Sequence, residues 1–230
     1  MKDLNRYSKI HGKFPREMLL LVGTGCNWKK CTFCDYYLDV AKDPYKINQK
    51  VLSRVTGEFG VLDVNNSGSC FELDKDTLLL IKKIAREKNI HTLWFECHWM
   101  YKDHLEKFRQ FFDGITVHFR LGIETFDSDF REKLNKGIPK ELTPKEIARK
   151  FYSICLLFGI KGQTQEMLLN DIEYAEKYFE YYRLNIFTKN STSTEIDEKL
   201  VDWFKNKIYP DLKNHAKVEI LIHNTDLGLG

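Results

Sequence analysis

Cys26, Cys31 and Cys34 fall within nine residues at the spacing C-x4-C-x2-C, directly after the apolar run Leu19-Leu20-Leu21-Val22. Thiolates are soft ligands that suit iron–sulfur clusters or zinc, and three of them leave one metal position without a protein ligand. An open iron is a place where a small molecule can bind. Two other readings use the same residues. The spacing with a distant fourth cysteine occurs in plant-type [2Fe-2S] carriers, and Cys70 could supply that ligand. A structural zinc site would need a fourth ligand such as His98. Six cysteines could also pair as disulfides, but three packed into one loop, with no apolar export segment before them, read as a metal site in a reducing compartment.

The elements that must carry this loop alternate along the chain. Short apolar runs at Met18–Val22, Gly60–Val64, His91–Glu96, Thr116–Ile123, around Ile160, Leu184–Thr188 and Val218–His223 read as strands. Amphipathic stretches at Ile47–Thr56, Asp74–Lys88, His104–Phe112, Asp127–Asn135, Thr143–Phe158, Leu168–Tyr181 and Glu195–Ile208 read as helices, with Asp74 and Thr143 as N-caps and Cys155 inside one helix. This βα rhythm, uninterrupted by a linker or a repeat, predicts a single domain over residues 1–230. Its α/β fold is a partial (β/α)6-type TIM barrel, with a doubly wound open sheet as the other solution. In both architectures ligands sit at the carboxyl ends of the strands.

Composition narrows the partners. The 36 basic and 33 acidic residues give a net charge of +3, spread along the chain without a basic tract, so small-molecule chemistry is expected and nucleic-acid binding is not. No run approaches the roughly 18 apolar residues that span a bilayer, and a cytoplasmic protein is expected. Strand-end loops supply candidate substrate-binding residues: Asp35 with Tyr36 and Tyr37, then Glu96, His98 and Trp99, then Asn185, and a last loop at His223–Asp226. A carboxylate beside aromatic faces suits a flat heterocycle with N–H donors, and Glu96 at the end of its strand is the carboxylate expected to read it. Trp94 and Phe95, within the strand, read as packing.

The loop Gly25–Tyr36, with Phe33 just before the third cysteine, resembles the cluster loop of the radical-SAM superfamily, with one residue more than its common spacing. The resemblance continues through most of the chain. Asn66-Ser67-Gly68-Ser69 resembles the turn that holds the methionyl amino group of S-adenosylmethionine (SAM), although an ordinary turn has the same composition. Gly122-Ile123-Glu124-Thr125, with Arg131 and Asn135-Lys136-Gly137, resembles the segment in which Glu124 would meet the ribose hydroxyls and Arg131 the methionyl carboxylate. The other reading of Arg131 is a solvated helix residue. Phe158–Gln163, with Ile160 and Gly162, resembles the segment that reads the adenine edge. The resemblance implies a [4Fe-4S] cluster on Cys26, Cys31 and Cys34, SAM as cofactor, and an electron donor such as flavodoxin or ferredoxin. Within the superfamily, the size and run of motifs are similar to the queuine lyases, which implies cleavage of a 7-deazaguanine base to release 7-aminomethyl-7-deazaguanine. Another modified nucleoside or tRNA base as substrate, an iron–sulfur electron carrier and a zinc-stabilised binding module are the alternatives.

Overall fold

The computed structural model describes residues 4–230. Strands β1 (Tyr7–Ile10), β2 (Arg16–Leu21), β3 (Val61–Asn66), β4 (Thr92–Cys97), β5 (Thr116–Glu124), β6 (Ser153–Phe158), β7 (Tyr181–Ile186) and β8 (Val218–Leu221) form one sheet in sequence order. β1 pairs antiparallel with β2, and the pairs β2–β3, β3–β4, β5–β6, β6–β7 and β7–β8 are parallel. Helices α1 (Pro44–Leu52), α2 (Lys75–Glu87), α3 (Leu105–Phe111), α4 (Ser128–Lys133), α5 (Pro144–Ala148), α6 (Gln165–Tyr178), α7 (Glu198–Trp203) and α8 (Tyr209–Leu212) occupy the crossovers. Parallel neighbours in sequence order joined by helices are the topology of the expected partial (β/α) barrel. No helix among the described residues is long and apolar enough to cross a membrane.

The chain divides into two compact units. The first contains residues 4–29, Tyr36–Phe119 and Thr225–Gly230. In it, β4 alternates: Leu93, Phe95 and Cys97 are buried, while Thr92, Trp94 and Glu96 are half-buried on the other face. The buried face carries an aromatic core in which the Phe95 ring lies 5.1 Å from Phe108 and 5.5 Å from Phe112, and Phe108 lies 5.6 Å from Phe119. α1 is joined to the end of β2 by Asn48, whose buried amide receives the Val22 N–H and donates to the Val22 carbonyl, both at 2.8 Å. An amide side chain thus stands in for a strand partner where the cysteine loop begins.

The second unit contains Lys30–Asp35 and Arg120–Asn224. Every residue of β6 is buried, as expected for a strand flanked by parallel neighbours and covered on both faces. This corrects the helix expected over Thr143–Phe158. α5 ends at Ala148, the apolar run Ser153–Phe158 is a strand, and Cys155 therefore lies on β6. Gly159, with φ of +94°, terminates that strand, so the strand expected around Ile160 lies just upstream of it, and Ile160 makes a single antiparallel bridge to Ile196. The helix expected over Glu195–Ile208 starts at Glu198 and widens into a π-turn over Phe204–Ile208. β1 was not expected, since the start of the chain reads as polar. Tyr7 anchors it by burying its ring and donating to the fully buried Glu17.

Phe95 is fully buried against the rings of Phe108 and Phe112, and truncating such a ring leaves a cavity. Phe95→Ala should lower the unfolding free energy by about 3–5 kcal/mol, read as an earlier midpoint in urea denaturation at unchanged slope. A loss below about 1 kcal/mol would show that the site collapses onto the gap.

Candidate functional site

The cysteine loop leaves β2 through Gly23, whose N–H donates to Ser67 Oγ at 3.3 Å, and Thr24, whose N–H donates to the Glu72 carbonyl at 3.0 Å. Cys26 Sγ accepts from the Lys29 N–H at 3.4 Å. The Glu72 carboxylate is buried and accepts from the Asn27 N–H (2.8 Å), the Ser69 N–H (2.6 Å) and the Tyr101 hydroxyl (3.1 Å). One carboxylate therefore ties the residue after Cys26 to the turn Asn66–Ser69 at the end of β3. A methyl on Gly68 would sit 2.0 Å from Glu72 Oε2, so any side chain there would displace the carboxylate that ties the turn to Asn27. Asn66 donates to the Ser69 carbonyl, while its Oδ1 is buried with no partner among the described residues. Burial, together with the negative charge of Glu72 and Cys26, pushes the Tyr101 hydroxyl up to about 12, which keeps it a donor. Sequence reading missed Glu72 and Tyr101; the signal for Glu72 was Ser69-x-x-Glu72, the spacing of a capping box.

Cys31 and Cys34 belong to the second unit, where other groups hold their segment. The Thr32 N–H donates to the Leu134 carbonyl (3.1 Å), Asn190 donates to the Phe33 carbonyl (2.7 Å) and Thr194 to the Thr32 carbonyl (2.9 Å). Asp35 accepts from the Ser191 N–H and hydroxyl at 3.0 and 2.8 Å. Asp35 is thus tied to Ser191 within the segment that carries Cys31 and Cys34. The Phe33 ring packs against a cluster of Phe130, Leu134, Leu157, Ile160 and Phe187.

Glu124 ends β5 at a bulge with φ of +69°, a costly conformation for a residue with a side chain. Its Oε1 accepts from Lys136 Nζ at 2.7 Å, and both side chains are about nine-tenths buried. Gly122 leaves the space, since a methyl there would lie 2.8 Å from Glu124 Oε1. Burial opposes the Lys136 charge, but Glu124 and the thiolates of Cys31 and Cys34 outweigh it and raise its pKa.

Arg131 is 2% exposed, which rules out the solvated-helix reading. Its terminal nitrogens donate to the carbonyls of Thr125, Phe126 and Pro139 at 3.1, 3.4 and 3.2 Å. In this structure the guanidinium expected to meet the methionyl carboxylate is held on the turn after Glu124. Asp171, which sequence reading missed, holds the same turn by accepting the Phe126 N–H at 2.6 Å, and burial pushes its carboxyl up to about 7. Nothing in the polar face of α6 marks Asp171 in the sequence. Ile160 and Gly162 sit in a tight turn: the Ile160 N–H donates to Gln163 Oε1, its carbonyl accepts the Gln163 N–H, and Gly162 has φ of +93°.

Of the expected substrate-binding residues, Glu96 and Asn185 are half-buried on their strands, and Asn185 Oδ1 has no partner among the described residues. Trp99 is 7% exposed. Trp28, which was not foreseen, stacks on His98 at 5.1 Å and 21°. Cys70, the fourth ligand that the plant-type reading would use, is fully buried, and its thiol is pushed well up, by burial first and then by its contact with Cys97.

The model of the Radical SAM superfamily matches residues 20–175, two thirds of the chain. This chain belongs to the radical SAM superfamily. A solved queuine lyase from Clostridium spiroforme, bound to SAM and queuine, is 44% identical over 99% of both chains, with a TM-score of 0.94. The heme chaperone HemW of Buchnera aphidicola subsp. Schizaphis graminum (strain Sg) is 24% identical over 173 residues, 65% of this chain and 45% of that protein. The chain thus spans less than half the length of that curated relative. The radical SAM cofactors are a [4Fe-4S] cluster and SAM, and the residues fit them: three half-exposed thiols stand in one loop, a glycine cradle and an unpartnered buried amide oxygen follow β3, and a buried carboxylate ends β5.

Asp171 gives a pH test of the turn that carries Glu124. Its carboxyl titrates near 7 when folded and near 4 when unfolded, so the folded state holds the extra proton between those values. Its contribution is therefore fully present below about pH 4 and is lost as pH rises to about 7. Relative to the wild type, Asp171→Asn should gain up to about 4 kcal/mol of stability between pH 4 and pH 8, at about 1.4 kcal/mol per unit. Denaturation of both proteins at the two pH values measures this, and a constant difference would sink the assignment.

Proposed function

We propose that this chain is a queuine lyase, a radical SAM enzyme that cleaves a 7-deazaguanine base and releases 7-aminomethyl-7-deazaguanine. The supporting observation is its 44% identity, over 99% of both chains, to a queuine lyase that binds SAM and queuine. Cys26, Cys31 and Cys34 would each hold one iron and leave the fourth for SAM. When bound, the cluster and SAM supply a one-electron cleavage to methionine and a 5′-deoxyadenosyl radical, which takes hydrogen from the cyclopentenyl part of the base.

The protein's own work is positioning and exclusion. The backbone carbonyls of Asn66–Ser69, together with Asn66 Oδ1, offer acceptors to the methionyl ammonium. Glu124, fixed by Lys136, offers a carboxylate to the ribose hydroxyls. Phe33, on its apolar cluster, keeps water from the neighbouring thiolate. Glu96 would accept adjacent ring N–H and amino donors of the guanine-like edge, and the Trp28–His98 stack would cover an apolar face. The donor is a low-potential carrier such as flavodoxin or ferredoxin, the whole chain acts as one catalytic domain, and the setting is the cytoplasm.

The test is anaerobic reconstitution followed by incubation with SAM, a reductant and queuine, with mass spectrometry of the bases. Queuine should accelerate formation of 5′-deoxyadenosine, and 7-aminomethyl-7-deazaguanine should appear with it. Cys31→Ala should abolish both, while Cys155→Ala, on β6, should leave them within about twofold, in keeping with a small buried hydrophobe. Formation of 5′-deoxyadenosine at the same rate without queuine, and no base product, would refute the substrate and leave the superfamily membership untouched.

A further inference from the structure

We propose that Lys136 is a positioning residue that serves both cofactors at once: its ammonium holds Glu124 and lends positive charge to the thiolates of Cys31 and Cys34, raising the reduction potential of the cluster. The inference rests on the reading of those cysteines as cluster ligands.

The geometry is local and complete within the second unit. Lys136 Nζ lies 2.7 Å from Glu124 Oε1 and 5.7 Å from the centroid of the Phe33 ring, whose residue directly precedes Cys34. Two residues before Lys136, the Leu134 carbonyl accepts the N–H of Thr32, which directly follows Cys31. The backbone around the lysine is bent to aim it: Asn135 and Gly137 on its two sides have φ of +54° and +67°. Space for the ammonium comes from Gly122, where a methyl group would lie 3.0 Å from Nζ. A lysine that merely completed an ion pair would not need a left-handed residue on each side and burial beside a metal-ligand loop.

Reduction adds one negative charge to the cluster, so a fixed cation nearby favours the reduced state, and cluster potentials respond to local charge of this kind. Burial keeps that charge from being screened by salt. Glu124 cancels part of it. The two residues should therefore move the potential in opposite directions, which a purely structural pair would not do.

The experiment is a potentiometric titration of the reconstituted full chain without SAM, following the signal of the reduced cluster by electron paramagnetic resonance, with iron content measured alongside. At the wild-type midpoint potential, Lys136→Met should lower the ratio of reduced to oxidised cluster about three- to tenfold, a downward shift of about 30–60 mV at 59 mV per tenfold. Glu124→Gln, which uncovers the ammonium, should raise the ratio. Lys136→Arg should keep it near wild type, and the double variant should fall between the two single ones. SAM affinity should drop in both single variants. Unchanged midpoints, or shifts of the same sign in Lys136→Met and Glu124→Gln, would overturn the proposal even if SAM binding weakens. Should Lys136→Met fail to hold iron, Glu124→Gln and Lys136→Arg still decide it. A full iron content in Cys31→Ala would overturn it by a separate route, by removing the ligand assignment on which it stands.

Discussion

The loop that carries Cys26, Cys31 and Cys34 has neither a ladder nor a helix of its own, so its backbone groups must find partners elsewhere. The rest of the site depends on how that requirement is met. In the first unit the carboxylate and the carbonyl of Glu72 take the N–H groups of Asn27 and Thr24. In the second unit Leu134, Asn190, Ser191 and Thr194 engage residues 32 to 35. Each of these partners also belongs to, or lies beside, the turn after β3, the turn after α4 or the segment after β7. A displaced partner would therefore disturb the cysteine loop and a strand-end turn of the same unit together.

The second constraint is electrostatic. Glu124, Lys136, Arg131 and Asp171 are all buried, and each belongs to or bonds to the end of β5 or the turn that follows it. Each isolated charge would be costly away from water, so each is answered differently. Glu124 and Lys136 neutralise one another, Arg131 is wrapped by three carbonyls, and Asp171 shifts toward its neutral form. Buried polar groups of this sort are weak contributors to stability. Their effect here is to over-determine a backbone conformation, the positive φ of Glu124, that the chain would not choose unaided.

What the sequence made legible follows from how local each signal is. The cysteine loop, the turn Asn66–Ser69 and the stretch Gly122–Gly137 are contiguous, and all lie where the βα rhythm puts them, at strand ends. The run Ser153–Phe158 was misread as helix because a six-residue apolar segment buried on both faces has no period to display. The bonds that Arg131 and Asp35 make were not legible, because their partners are set by the fold: the Pro139 carbonyl eight residues on for Arg131, and the N–H and hydroxyl of Ser191, at a separation of 156, for Asp35. Side chains that serve backbone groups leave no residue-type signature in the partner. Glu72 was the exception, because its partner Ser69 stands at capping-box distance.

The strands of both units share a further regularity, in how polarity tracks burial. In the first unit the register sets Asp63 beside Trp94, and alternation places Asn65 and Glu96 on that same face, opposite the phenylalanine core. In the second unit Cys155, Arg183 and Glu219 are aligned across β6 to β8, and Asn185 follows Arg183 on the same side. Strand faces this polar are expensive to bury. Within each unit the deepest charges are paired off, Arg16 with Asp63 at 3.1 Å and Arg183 with Glu219 at 3.0 Å. Toward the carboxyl ends the strand faces stay polar but are less buried, with Glu96 half-buried in the first unit and Asn185 half-buried in the second. Desolvating a polar group without a matched hydrogen bond costs roughly 1–3 kcal/mol, so within each unit polarity persists on these strands where burial falls.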